Sequence, residues 1–153
     1  MGTKYIDLHL HLDGAITAEA AIELAKVQGI SLPAKIEKEL AKLISVPEGC
    51  KSLNDFLRCF ELPLSLLQTR EGIRRAVQLV LEEQKREGVV YAEIRFSPQL
   101  HTGKGLSQEE VLRAALEGLE DAPIPANLIL ACMRGSGNQR ENKENLELAR
   151  RFL

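Results

Sequence analysis

Tryptophan is missing altogether, aromatic residues make up only 4% of the 153-residue chain, and cysteine occurs three times. Cys50, Cys59 and Cys132 are odd in number, widely spaced and form no C-x-x-C pair. That argues against a disulfide framework and predicts reduced thiols in a cytoplasmic protein. No apolar run approaches the ~20 residues that a membrane span needs. Neither sign of charge dominates, since the net charge is -2, so nothing electrostatic points to nucleic acid or an anionic membrane as partner. A strand pattern starts almost at residue 1, and the expectation is that no signal peptide precedes it. Repeats, low-complexity tracts and linker-like stretches are also lacking. What remains, 44% hydrophobic and 27% charged, is the profile of one ordinary globular domain with a real core.

The first pattern present is KYIDLHLHLDG, residues 4–14. Ile6, Leu8, Leu10 and Leu12 hold the even positions; Asp7, His9, His11 and Asp13 hold the odd ones. Successive strand side chains point to opposite faces, so the segment predicts an aliphatic face under helices and an ionisable face opposite. His-x-His on a strand puts two imidazoles on one side, close enough to share a metal ion, and zinc suits imidazole nitrogen. On a helix the same pair would diverge. The bland alternative is an exposed strand face with incidental histidines. Against it, His9, His11 and Asp13 lie at the C-terminal end of the strand, where active sites of parallel sheets are found.

Helices follow. Thr17 is a candidate N-cap for residues 18–28, with Gly29 as the stop. A second helix is expected within residues 31–44, with Pro33 near its first turn. Ser52 and Asp55 open another, in a variant of the capping box. Thr69 starts the best amphipathic pattern, reaching residue 87 with Ile73, Ala76, Val77, Val80 and Leu81 as its stripe. A strand at 89–96, a helix from a Ser107–Glu110 capping box to residue 121, a strand at 126–133 and a last helix from about residue 138 complete the order. That last helix offers Leu146, Ala149, Phe152 and Leu153 as its apolar side. Strands alternating with helices imply parallel strands, in an open layer or as part of a closed (β/α)8 barrel. A whole barrel typically takes about 250 residues, so residues 1–153 are expected to be the N-terminal part of one barrel domain.

The second strand repeats the two-faced design of the first. Tyr91, Glu93, Arg95 and Ser97 share one side, Val90, Ala92, Ile94 and Phe96 the other. Glu93 and Arg95 are expected to compensate each other's charge as a pair.

Four stretches, DLHLHLDGAI, SLNDFLRCF, EGVVYAEIRFSPQLH and ACMRG, together resemble the adenosine deaminase family of the amidohydrolase superfamily. The resemblance runs over nearly the whole chain, in the expected order and spacing. It implies a (β/α)8 TIM barrel, of which this chain supplies roughly the first three strand–helix units. It also implies one zinc ion and hydrolytic deamination of adenosine or deoxyadenosine, releasing ammonia. Carried over by position, His9 and His11 are the zinc ligands of the first strand. His11 and Asp13 contact the nucleoside, and Asp13 suits a ribose hydroxyl. Leu53, Phe56, Leu57 and Phe60, at i, i+3, i+4 and i+7, match the helix covering the purine; such a stripe by itself is ordinary core. Leu100 and Met133 add apolar wall.

The family's remaining zinc ligands, its ring-protonating glutamate and its water-orienting histidine come from later strands, and no H-A-G-E-like segment occurs here. No catalytic residue is therefore assigned within the chain. His101 is expected to be a surface or loop residue. The missing C-terminal half of the barrel becomes an expected partner, beside a small purine nucleoside. Two other readings stay open: an adenine or modified-nucleoside deaminase of the same superfamily, and a non-catalytic fragment with a partial zinc site. A zinc base deaminase of the His/Cys/Cys type is excluded, because its P-C-x-x-C signature is absent.

Overall fold

The computed structural model describes residues 3–152. Along them run β1 (Tyr5–His11), α1 (Ala18–Gln28), α2 (Glu37–Ile44), α3 (Leu53–Arg58), α4 (Glu61–Leu66), α5 (Arg70–Arg86), β2 (Val89–Phe96), α6 (Gln108–Glu120), β3 (Ala126–Leu130) and α7 (Gln139–Arg151). Short 3-10 turns at Pro98–His101 and Ser136–Asn138 lead from β2 and β3 towards the next helices. The strands are parallel, in the order β1-β2-β3, so β2 alone has a neighbour on each side. Among the described residues, no helix is long and apolar enough to cross a membrane.

Local chemistry explains the boundaries. The Thr17, Thr69 and Ser107 hydroxyls each accept a backbone N–H from the first turn of α1, α5 and α6, and Glu110 closes a full capping box on Ser107. Gly29 ends α1 in the left-handed conformation, at φ 65°, that glycine adopts without a Cβ penalty. The stripe of α5 is buried as expected, and α1, α5 and α6 close over the sheet in one apolar cluster that includes Ile94 and Phe96. Full burial of such a side chain is worth about 1.5–3 kcal/mol. Gly118 lets α5 and α6 approach: a Cβ there would lie 2.7 Å from the Arg74 carbonyl oxygen and 2.8 Å from Val77 Cβ.

Several expectations need correction. The second helix begins at Glu37, four residues after Pro33, so the proline lies outside it. Helix α3 stops at Arg58 and α4 starts at Glu61, so Phe60 falls in the break. Pro63 gives the reason: it cannot donate to a carbonyl four residues back and is tolerated only in a first turn. Strand β3 ends at Leu130, three residues early. On α7 it is Asn145 and Leu148 that are buried, whereas Leu146 is exposed; Leu153 lies outside the described residues. Phe152 is held instead by stacking under the guanidinium of Arg113, 4.8 Å from its ring centre. The aliphatic face of β1 is only partly covered. Leu12 is fully buried and Leu10 half-buried, but Ile6 and Leu8 are 63% and 58% exposed. As an edge strand, β1 has no partner on its far side within these residues.

Candidate active site

The alternation of β1 does not run unbroken. Asp7 pairs with Ala92 and Leu10 with Ile94, so three steps along β1 match two along β2. This is a β-bulge, and it changes which parity faces the helices. Ahead of it Asp7 stands on the Ala92 side; beyond it Leu10 and Leu12 take that side, and His11 stands with Arg95 on the other. The expectation that Asp7 shares the histidine face is thereby corrected. Its carboxylate oxygen Oδ1 accepts the backbone N–H of His9 at 2.9 Å, in the side-chain-to-backbone bond two residues on that Asp commonly makes. The bulge and this bond together set where His9 begins the site.

His9 and His11 come together as the strand reading expects. Their rings stack with centroids 5.2 Å apart, and the Nε2 atoms are 3.2 Å from each other. Two nitrogens at about 2.0–2.1 Å from one tetrahedral zinc would lie about 3.3 Å apart, so the pair fits half of a zinc shell. Arg95 Nη1 lies 3.0 Å from His9 Nε2. A guanidinium only donates, so His9 Nε2 carries the lone pair that a metal ligand needs. Burial pushes the His11 pKa below its usual value; Asp13 pulls it up, and Arg95 and His9 push it down again. Among the described residues, no cluster of three or more His, Cys, Asp or Glu side chains is poised to hold a metal. Two nitrogens are what this chain offers.

Beside them opens a cavity of about 510 Å³, walled by residues from five segments. His11 and Asp13 come from the end of β1 and just past it, Phe56, Leu57, Phe60 and Leu64 from α3, α4 and the break between them, Arg95, Phe96 and Ser97 from the end of β2 and the residue after it, Leu100 from the turn that follows, and Ala131, Cys132 and Met133 from the segment after β3. Phe56 and Phe60 meet edge to face at 5.4 Å. Gly14 lies close by: a Cβ there would sit in contact, at 3.4 Å, with both the Phe60 ring and His11 Cβ. The cavity thus has an apolar roof, one carboxylate and two cationic or imidazole groups at one end. Such a space accepts a flat apolar ring carrying polar edges.

Of the expected site residues, His11, Asp13, Phe56, Leu57, Phe60, Leu100 and Met133 line this cavity, His9 stands beside it against His11, and Leu53 is apart. Leu53 is 70% exposed and lies off the cavity wall; with α3 broken before Phe60, the four apolar residues no longer form one straight stripe. His101 also departs from expectation. It is 1% exposed, its Nδ1 donates to the Leu67 carbonyl at 3.1 Å, and burial lowers its pKa against the opposing pull of Asp13 and of that bond. The expected pairing of Glu93 with Arg95 is replaced: Glu93 accepts the Tyr91 hydroxyl at 3.1 Å, and Arg95 turns to His9. Sequence reasoning missed Leu64, Ser97 and Cys132 as wall residues. Leu64 carried a signal, four residues after Phe60, and Ser97 lay on the polar parity of the second strand; Cys132 carried none that composition or period could show.

The chain is similar to known proteins over almost its whole length. The family model described as "Adenosine deaminase" matches residues 5–153. The adenosine deaminase of Haemophilus ducreyi is 48% identical over 153 residues, covering 97% of this chain and 44% of the relative. Among solved structures, the adenine deaminase of Arthrobacter aurescens is 28% identical with a TM-score of 0.69, over 84% of this chain and 39% of that one. An N6-mAMP deaminase from Arabidopsis is 25% identical with a TM-score of 0.74, over 97% and 46%. These neighbours are TIM-barrel proteins, and the chain's three strands and their helices follow part of that barrel. The chain spans less than half the length of the curated relatives it matches.

Proposed function

The chain belongs to the adenosine deaminase family, and from that premise we propose that it supplies the first-strand half of the metal site and much of the purine pocket of a zinc-dependent adenosine deaminase. In this reading residues 1–153 are the N-terminal part of a single barrel domain. Hydrolysis of adenosine or deoxyadenosine to the inosine product and ammonia needs further groups from the C-terminal part. The observation that carries the proposal is the His9–His11 pair, with Nε2 atoms 3.2 Å apart at the mouth of a cavity roofed by Phe56 and Phe60.

His9 and His11 would hold the zinc through Nε2. Zinc there supplies the acidity that makes water a nucleophile near pH 7. The chain's own residues do the rest of what is assigned to it. Asp13, at the cavity edge, accepts a hydrogen bond from a ribose hydroxyl, and His11 shares the contact with the nucleoside. Phe56, Leu57, Phe60 and Met133 exclude water from the purine face, which strengthens every polar interaction beneath them. Leu53 is left out of the pocket on its exposure.

The test is a metal and activity assay on the barrel completed with the remaining strand–helix units. His9→Ala and His11→Ala should each lose zinc and turnover together; full zinc content in both variants would end this assignment. Isolated residues 1–153 are expected to show no turnover. A second substrate reading is favoured by the solved neighbours, which act on adenine and on N6-mAMP by their names. Rates on adenosine, adenine and N6-methylated substrates separate it from the first.

A further inference from the structure

We propose that Asn142 is a positioning residue for the purine pocket, acting through Met133; this rests on the deaminase reading above. The inference starts from where β3 ends. Its last backbone bond to the sheet is the Ala131 N–H donating to the Phe96 carbonyl at 2.9 Å. Beyond that point the chain stays outside the ladder, and side chains of α7 and its N-terminal approach take over the role of a neighbouring strand. The Met133 N–H donates to Asn142 Oδ1 at 2.9 Å, and Asn142 Nδ2 donates to the Met133 carbonyl at 2.7 Å. A primary amide holds an acceptor and a donor in one plane, as a peptide group does. Asn142 therefore pairs with Met133 as a single strand residue would. Asn138 Nδ2 donates to the Arg134 carbonyl at 2.7 Å, and Asn145 Nδ2 and the Ser97 hydroxyl both donate to the Ala131 carbonyl, at 3.2 and 2.6 Å.

Fixing both polar groups of one residue fixes its two backbone torsions, and with them the direction of its Cα–Cβ bond. Met133 is one of the cavity-wall residues, with Phe56 and Phe60. Methionine is the most adaptable apolar side chain, so a defined wall here needs a backbone that does not move. The nearby alternatives do not supply this. Cys132 lies at the long distance of 3.9 Å from the Asn142 carbonyl, and the Asn145 and Ser97 bonds stop at Ala131.

Kinetics on the completed barrel test the proposal. Asn142→Ala should raise KM for adenosine about tenfold while kcat stays within about twofold, the pattern of a binding contact shared by ground and transition states. Asn142→Asp, which keeps the acceptor and loses the donor, should fall between. In a Met133→Ala background, Asn142→Ala should add less than about twofold, because the two act as one unit. A wholly structural role would instead lower the active fraction, moving kcat and not KM, and that result overturns the proposal; so does a tenfold effect that persists without the Met133 side chain. The clamp has a readout of its own: in the 153-residue chain, Asn142→Ala should speed exchange of the Met133 amide about tenfold, and unchanged exchange overturns it. If the unsubstituted barrel turns over no purine nucleoside, the deaminase reading fails, and the exchange measurement still judges the clamp.

Discussion

β1 and β2 carry the same written pattern, aliphatic residues alternating with ionisable ones, yet the fold treats them differently. In β2, Ala92, Ile94 and Phe96 are buried, and Tyr91, Glu93 and Arg95 are half-buried on the other face. In β1, Ile6 and Leu8 stand in the open, and only Leu10 and Leu12 are covered. The difference lies in register and in neighbours: ahead of the bulge Ile6 stands on the Tyr91 side, away from the helices. β2 is flanked by strands on both sides and roofed by α5 and α6, whereas β1 is an edge. An alternating sequence specifies two faces but does not provide the layer that covers one of them. β1 adds a bulge, which β2 lacks opposite it, and the bulge is where the site starts.

The comparison is broken most severely at matched aliphatic positions. Ile94→Ala, at a fully buried site, should cost about 3 kcal/mol in denaturant unfolding of the chain, from lost transfer energy plus a cavity. Leu8→Ala should stay within about 0.5 kcal/mol, as exposed substitutions do. Equal costs would mean that β1 is covered after all. The roof over β2 can be attacked next. Gly118→Ala forces a methyl against the Arg74 carbonyl and Val77, and overpacking of that kind should cost about 1–3 kcal/mol. A neutral result would show that α5 and α6 separate freely, and the contrast in burial would then owe less to their close approach.

How much of this was legible in the residues follows the same line. Local chemistry was readable: the caps at Thr17, Thr69 and Ser107, the stripe of α5 and the span of β2 lie where propensity and period place them, although Val90, expected under the helices, is exposed. The His9–His11 encounter was readable too, because it needs only a strand. Long-range facts were not. The bulge depends on how β1 registers with β2, whose paired residues such as Asp7 and Ala92 are far apart in the chain, and no local pattern announces it. Arg95 and Glu93 share a parity, but which partner each takes is decided by the neighbouring strand. His101 reads as a polar loop residue until Phe96 and the Leu67 carbonyl close around it. Leu53 fits a helical stripe until the break between α3 and α4 parts it from Phe60.

The bulge itself yields a smaller effect than the core. Asp7→Ala removes the acceptor of the His9 N–H and should weaken zinc binding by the completed barrel about tenfold, the usual scale for a group that orients a ligand from behind. Asp7→Asn keeps an oxygen in place and should lose much less. Calorimetric titration with zinc distinguishes them; if the two variants bind alike, the carboxylate's hydrogen bond is not what orients His9.

The smallest effect separates the histidines that end the two strands. His11, after β1, stays exposed among charged groups, whereas His101, after β2, is buried with its Nδ1 donating to Leu67. Burial lowers the His101 pKa in the folded chain, so the unfolded chain binds a proton that the native chain refuses. Stability therefore rises with pH across the interval between the lowered value and the ordinary one near about 6.5, is complete above it, and falls as the solution is acidified below it. His101→Asn places an amide donor near the Leu67 carbonyl without a titrating group. In thermal unfolding from pH 7.5 down to about 5, the variant should lose less of its Tm than the unsubstituted chain. A slope unchanged by the substitution would assign the acid sensitivity to other groups and remove His101 from the comparison.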